Sequence, residues 1–324
     1  MSTARYLVTG GAGFIGSRLA DALVSAGERV RVLDNLSTGS WRNLAPRLGD
    51  PRLECLEGDV RDAAAVARAA AGVEVVFHLA AIGSVPWSID DPVGANAHNV
   101  SGTVTVLDVA RRSGARRVIF ASSAAVYGEC AVLPAHEGLA PAPLSPYAAS
   151  KLASEHYARV FHLCYAVETL SLRYFNIFGP GQSPDGPYAA GIPRFVHAAV
   201  GGRPITVFGD GEQTRDFCYV ANAVAANLAA AQASRPLRGE VVNIGSGERV
   251  SVNRVLGELG RVLGAPPAVR HEGPRAGDIR HSVADIGRAR ELLGYEPAVS
   301  WQQGLGPTVE FLRGWSREIR HEGA

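Results

Sequence analysis

The sequence predicts an α/β fold, a doubly wound parallel sheet with helices on both faces and a smaller α/β domain beside it. Three features carry that expectation. Short β-branched runs alternate with longer helical patterns through the first half, the strand candidates are apolar on both faces, and a glycine-rich turn joins the first strand to the first helix.

Taken in order, strands are expected at 6–8, 30–33, 53–56, 73–79, 118–121 and 169–172. Helical patterns fall between them at 15–26, 63–70, 97–112 and 147–165. After Asn176 the rhythm breaks. Residues 179–187 read Gly-Pro-Gly-Gln-Ser-Pro-Asp-Gly-Pro, dense in turn formers, and 203–211 and 266–277 read as loop-rich and Arg-bearing. Residues 220–233 and 241–244 look like one more helix and strand of the first sheet. The expected division is a dinucleotide-binding domain over 1–178, with 212–246 returning to it, and a substrate-binding domain built from 179–211 and 247–324.

Composition narrows the function. With 324 residues, 47% of them apolar, the chain can bury a sizeable core. Its 32 basic residues are balanced by 31 acidic ones, so it lacks the cationic excess that binding nucleic acid or an anionic membrane requires. No apolar run approaches the ~18 residues of a membrane span, and 5–9 enters a strand pattern directly, so neither a membrane anchor nor a signal peptide is expected. Four widely spaced cysteines (Cys55, Cys130, Cys164, Cys218), with no CxxC, suggest reduced, mostly buried thiols in a cytoplasmic protein without a metal site.

Gly10-Gly-Ala-Gly13-Phe14-Ile15-Gly16 follows the first strand and opens the first helix. Glycines there permit a tight turn and a close approach of backbone N–H groups to a pyrophosphate, at a helix end that favours anions. Asp34 ends the second strand, where its carboxylate can accept from a ribose diol and would repel a 2′-phosphate. No Arg follows it in Asn35-Leu-Ser37-Thr38, so NAD is expected rather than NADP. Asp59 and Val60, and Leu79, Ala80 and Ala81, end the third and fourth strands at the same ligand-bearing edge.

The chain has 31 Arg and a single Lys, Lys151, four residues after Tyr147 on a helix-like segment. Residues at i and i+4 share a helix face. A free phenol has a pKa of about 10, too high for a base at neutral pH. A compact ammonium and an oxidised nicotinamide nearby would favour the phenolate. Arg keeps the charge but is wide and forked, which gives one position a reason to stay Lys. Ser123, after the strand at 118–121, can hydrogen-bond the reacting oxygen beside Tyr147.

Thr9-Gly-Gly-Ala-Gly-Phe-Ile-Gly16, Ser122-Ser-Ala-Ala-Val-Tyr-Gly128 and Tyr147-xxx-Lys151 resemble the extended short-chain dehydrogenase/reductase family, with its Rossmann fold. Leu172-Arg-Tyr-Phe-Asn176, 188–193, 209–217 and 275–278 are similar to its UDP-sugar 4-epimerases, in particular those acting on N-acetylated UDP-hexosamines. The resemblance implies C4 epimerisation of UDP-GlcNAc/UDP-GalNAc, and of UDP-Glc/UDP-Gal, with tightly held NAD, through a 4-keto sugar. It implies Ser123, Tyr147 and Lys151 as catalytic residues. Ser37, Thr38, Gly39, Asn99 and Phe175 would join the cofactor site. Ser84, Val85, Asn176, Ala190, Gly191 and Asp278 would contact the substrate, and Arg215 and Arg275 would clamp its diphosphate. Ser282 falls where epimerases restricted to UDP-glucose and UDP-galactose carry a Tyr, leaving room for an N-acetyl group. Relatives commonly form homodimers. A UDP-glucuronate 4-epimerase is an alternative with the same centre. A 4,6-dehydratase is disfavoured, because Ala124-Ala125 stand where those relatives carry Asp-Glu.

Overall fold

The structure, a computed structural model, describes residues 4–184, 191–274 and 279–322, with side chains as far as Trp315. The first half runs β1 (Tyr6–Thr9), α1 (Phe14–Ser25), β2 (Val30–Asp34), β3 (Leu53–Glu57), α2 (Ala63–Ala70) and β4 (Val75–His78). It continues through α3 (Val85–Asp90), α4 (Pro92–Asn96), a π turn at Ala97–Ser101, α5 (Gly102–Arg112), β5 (Arg117–Ser123), α6 (Pro146–Tyr165) and β6 (Glu168–Tyr174). The helix expected at 97–112 therefore starts with a π turn. The short helices α3 and α4 escaped the sequence pattern because each begins with Pro near its N-terminus and spans barely a turn.

The second half contributes β7 (Asn176–Phe178), α7 (Gly191–Val200), β8 (Ile205–Phe208), β9 (Thr214–Arg215), β10 (Phe217–Tyr219) and α8 (Val220–Gln232). Beyond these lie β11 (Arg238–Ile244), β12 (Val250–Ser251), α9 (Val252–Leu263), β13 (Val269–Glu272), α10 (Gly287–Leu293) and α11 (Trp301–Glu322). Seven strands form one parallel sheet in the order β11-β6-β5-β4-β1-β2-β3. The order reverses between β1 and β4, so a crevice opens there, above the carboxyl ends of the strands.

Side-chain alternation explains why both faces are apolar. Tyr6, Val8, Val32, Phe77 and Ile119 face the layer of α1 and α8, while Leu7, Leu33, Val76 and Val118 face α2 and α5. A separate core joins Phe178, Ile192, Val207, Leu256, Trp301 and Leu305. Two segments read as loops differ here: β8 and β13 pair as a small parallel sheet. Four-residue strands flanked by Gly and Pro give little periodic signal, and β13 is exposed along its length. The cysteines also depart from expectation. Cys218 is buried, Cys55 and Cys130 are half-buried, and Cys164 is exposed. Among the described residues no helix is long and apolar enough to cross a membrane, and no cluster of His, Cys, Asp and Glu could hold a metal.

Candidate active site

A cleft of about 1450 Å³ runs along the crevice and is lined by Gly10, Gly13, Asp34, Val60, Tyr147 and Lys151. Its floor is the glycine turn. Gly10 has φ +69°, and a Cβ there would lie 2.6 Å from the Ala80 nitrogen, while a Cβ on Gly16 would run into the Gly10 carbonyl. No side chain caps α1, and no acidic residue stands in its first turn, so its leading N–H groups can meet an anion.

Asp34 is 7% exposed. It accepts N–H bonds from Ala12 at 2.9 Å and Leu36 at 2.8 Å, and burial raises its pKa. A carboxylate with remaining lone pairs at the cleft wall fits a ribose diol. The closed glycine turn and the uncapped helix fit a pyrophosphate, so the residues present suit a dinucleotide such as NAD.

The reacting end is assembled from β5 and α6. Ser145 caps α6, accepting from Ala148 N at 3.2 Å, and Pro146 fits its first turn. The Tyr147 N–H, which has no partner within the helix, donates to Ser88 Oγ of α3 at 3.0 Å. Lys151 is 3% exposed and donates to the Ala121 carbonyl at 2.7 Å, with its Nζ 5.9 Å from the centre of the Tyr147 ring. Burial lowers the Lys151 pKa to about 7, against the pull of Glu155. Burial raises that of Tyr147, and a hydrogen bond with Ser123 opposes it. The expectation that the ammonium draws the phenol into working range therefore differs from what the protein groups do alone: desolvation dominates both groups.

Beneath this end lies a buried chain of hydrogen bonds. His78 is held between Thr9 Oγ1 at 2.7 Å and Thr103 Oγ1 at 3.0 Å, and burial pulls its pKa down to about 3. Thr103 donates to the Asn99 carbonyl at 2.5 Å. The Asn99 side chain binds both backbone groups of Ile82 and donates to Ser150 Oγ, which in turn donates to the Tyr147 carbonyl. Asn99 is thus 1% exposed and holds the cleft wall from behind.

The other expected residues divide by position. Phe14, Ile15 and Gly16, Asn35, Ser37 and Thr38, and Leu79, Ala80, Ala81 and Ser84 line the cleft. Gly39 packs on Ala12, close to Asp34. Asp59 turns to Arg61, whose paired bonds at 2.9 and 2.8 Å hold its carboxyl far below the usual range, and it accepts from Asn35. Phe175 is buried 6.4 Å from the Tyr127 ring. Val85 is exposed at the start of α3, and Gly191 is exposed at the start of α7. Asn176 is exposed, and its backbone and side-chain nitrogens both donate to the Asp216 carbonyl. Arg215 donates to the Thr214 carbonyl at 2.9 Å, and Ser282 N donates to the same carbonyl at 3.1 Å, so these two expected residues are neighbours. Ala190, Arg275 and Asp278 lie outside the described residues.

The sequence reading missed several lining residues. Ser40 accepts from Arg42 N, and Asn43 Nδ2 donates to the Ala12 carbonyl at 2.8 Å, bracing the turn after β2. Phe311 and Trp315, their rings tilted against each other 5.9 Å apart on α11, reach the cleft from the far end of the sequence. No local signal marks them, because they look like any apolar pair one turn apart on an amphipathic helix.

Residues 6–245 match the NAD dependent epimerase/dehydratase family, and the chain belongs to it; its cofactor is NAD. It is 39% identical to a UDP-glucose 4-epimerase of Mycolicibacterium smegmatis, over 97% of this chain and 100% of that one. The solved UDP-N-acetylglucosamine 4-epimerase from Methanobrevibacter ruminantium M1, in complex with UDP-N-acetylmuramic acid, superposes with a TM-score of 0.92 at 36% identity, covering 97% and 100% of the two chains. A UDP-glucuronic acid 4-epimerase from Bacillus cereus, with UDP-glucuronic acid and NAD, gives 0.89 at 31% identity, covering 96% and 99%.

Proposed function

We propose that this protein is a UDP-sugar 4-epimerase that acts on the UDP-GlcNAc/UDP-GalNAc pair and also on UDP-Glc/UDP-Gal. The observation that carries the reading is the juxtaposition of Tyr147 and Lys151 with the glycine turn and Asp34 around one cleft. Epimerisation at C4 needs a base for the C4 hydroxyl and a hydride acceptor beside it. Bound along the glycine turn and Asp34, NAD would supply that reversible hydride acceptor.

The rest is work for the chain. Tyr147 takes the hydroxyl proton, Ser123 orients the oxygen, and Lys151 steadies the phenolate. Arg215 and Arg275 hold the diphosphate through planar forks while the sugar turns over between them and Tyr147. Ser282, small and beside Arg215, supports the N-acetylated assignment. The exposed apolar residues Tyr157, Val160 and Leu163 on α6 support a homodimer, which we place in the cytoplasm.

The test is to incubate the purified protein, without added cofactor, with UDP-GlcNAc, UDP-glucose and UDP-glucuronate separately and identify products by NMR. Conversion of the first two is expected. Conversion of the glucuronate alone would favour the reading that the Bacillus cereus likeness suggests, and no conversion of any would refute both. Ser282→Tyr is expected to cost the acetylated pair at least about tenfold more in kcat/KM than the other, about 1.4 kcal/mol of discrimination. Equal loss on both pairs would overturn the role of Ser282.

A further inference from the structure

Behind the catalytic pair lies a buried ion pair. Glu155, one turn beyond Lys151 on α6 and 5% exposed, receives a two-pronged bridge from Arg173 of β6: Nε to Oε1 at 2.8 Å and Nη2 to Oε2 at 2.7 Å. The Ser122 hydroxyl donates to the same Oε1 at 2.5 Å. Arg173 is 3% exposed, with its guanidinium 4.6 Å from the centre of the Tyr127 ring in the turn after Ser123. A buried ion pair is a poor device for stability, since apolar groups of equal volume do as well or better. What apolar groups cannot do is set an electrostatic potential at a neighbouring ammonium.

The groups facing Lys151 make that role specific. On α6 they are Tyr147 and Glu155; on β5, the Ala121 carbonyl and the Phe120 ring, 4.9 Å from Nζ. On β4 it is His78, held neutral by burial, and on β6 it is Arg173, behind Glu155. Glu155 is the carboxylate among them.

We propose that Glu155 is a positioning residue for Tyr147 and Lys151: its carboxylate keeps the Lys151 ammonium charged in its buried slot, and Arg173 and Ser122 set how much of that field Lys151 feels. The proposal rests on the reading of Tyr147 and Lys151 as the catalytic pair. Removing the carboxylate makes the local potential more positive, so both members of the pair lose protons at lower pH. Removing the guanidinium does the reverse. Ser122→Ala, which keeps both charges, frees a lone pair on Glu155 and acts weakly in the second direction.

The experiment is the pH profile of kcat/KM for the NAD-loaded enzyme. Glu155→Gln is expected to move both limbs down by about one pH unit, Arg173→Met to move them up by a similar amount, and Ser122→Ala to move them up by a few tenths. Profiles that only lose height, or that move the same way in Glu155→Gln and Arg173→Met, would overturn the proposal. If neither of those variants folds, an unmoved Ser122→Ala profile overturns it. Tyr147→Phe separates the two readings: an active Tyr147→Phe removes the catalytic pair itself, while an inactive one with unmoved profiles removes only the role of Glu155.

Discussion

The cofactor cleft and the segments to which the sugar site is assigned are built in opposite ways. At the cofactor end the chemistry belongs to backbone and to side chains fixed by the sheet: the Gly10 turn, the uncapped start of α1, and Asp34 tied to two N–H groups. At the sugar end, side chains from distant segments meet at a junction. Asn176, Arg215 and Ser282 are exposed or half-buried, and Asp216 ties their segments together. The Asp216 carbonyl takes both Asn176 nitrogens. Its carboxylate, 0% exposed, accepts from Ser246 N and Oγ at 2.7 Å, from Gly247 N at 3.0 Å and from Ala284 N at 3.1 Å. The difference teaches that the glycine turn and Asp34 are held by local geometry, whereas the segments of the proposed sugar site are held together by one tertiary knot. The two should be separable by mutation.

Tyr147→Phe gives the largest effect: kcat is expected to fall by about 10²–10⁴-fold, with the NAD content of the purified protein unchanged. Loss of NAD along with activity would show that the two ends are not independent. Gly16→Ala attacks the cofactor end, since the new methyl meets the Gly10 carbonyl. The protein should then purify with little NAD, read by absorbance after heat release, and full retention would break the account of the turn. Asp216→Asn attacks the sugar end. An amide nitrogen cannot accept the bonds that one carboxylate oxygen takes, so KM for the UDP-sugar should rise about tenfold while NAD content holds.

The smallest effect concerns the buried chain of hydrogen bonds beneath the reacting end. His78 has a folded pKa of about 3 against 6.5 unperturbed, so between these values the unfolded chain binds the extra proton. Stability contributed by neutral His78 is present above pH 6.5 and is lost as the pH falls toward 3. Melting temperatures measured across that window should fall less steeply for His78→Asn than for the unaltered protein. Parallel slopes would remove His78 from the account.

Much of the cofactor end was legible because its signals are contiguous. The six expected strands of the first half lie within two residues of β1 to β6, and Asp34 follows Gly16 at the spacing a βαβ unit imposes. The i, i+4 geometry of Tyr147 and Lys151 needs only one helix. What the sequence left open was spatial. Asp59 sits at the right strand end, but whether it faces the cleft or Arg61 is decided by a rotamer. Glu155 looks like an ordinary charge on α6 until Arg173 comes against it from the next strand.

The sequence by itself determined the sheet, the dinucleotide turn and the pairing of Tyr147 with Lys151 on one helix face, because each depends on backbone geometry or on spacing within one element. Only the tertiary structure decided the electrostatics. Packing α6 onto β5 and β6 buries Lys151 and half-buries Tyr147, and desolvation then lowers the pKa of the ammonium and raises that of the phenol. It also brought Phe311 and Trp315 of α11 to a cleft whose other walls are built from the first half of the chain and from residues 181–183, since proximity between remote segments is a property of the fold and leaves no mark on either segment.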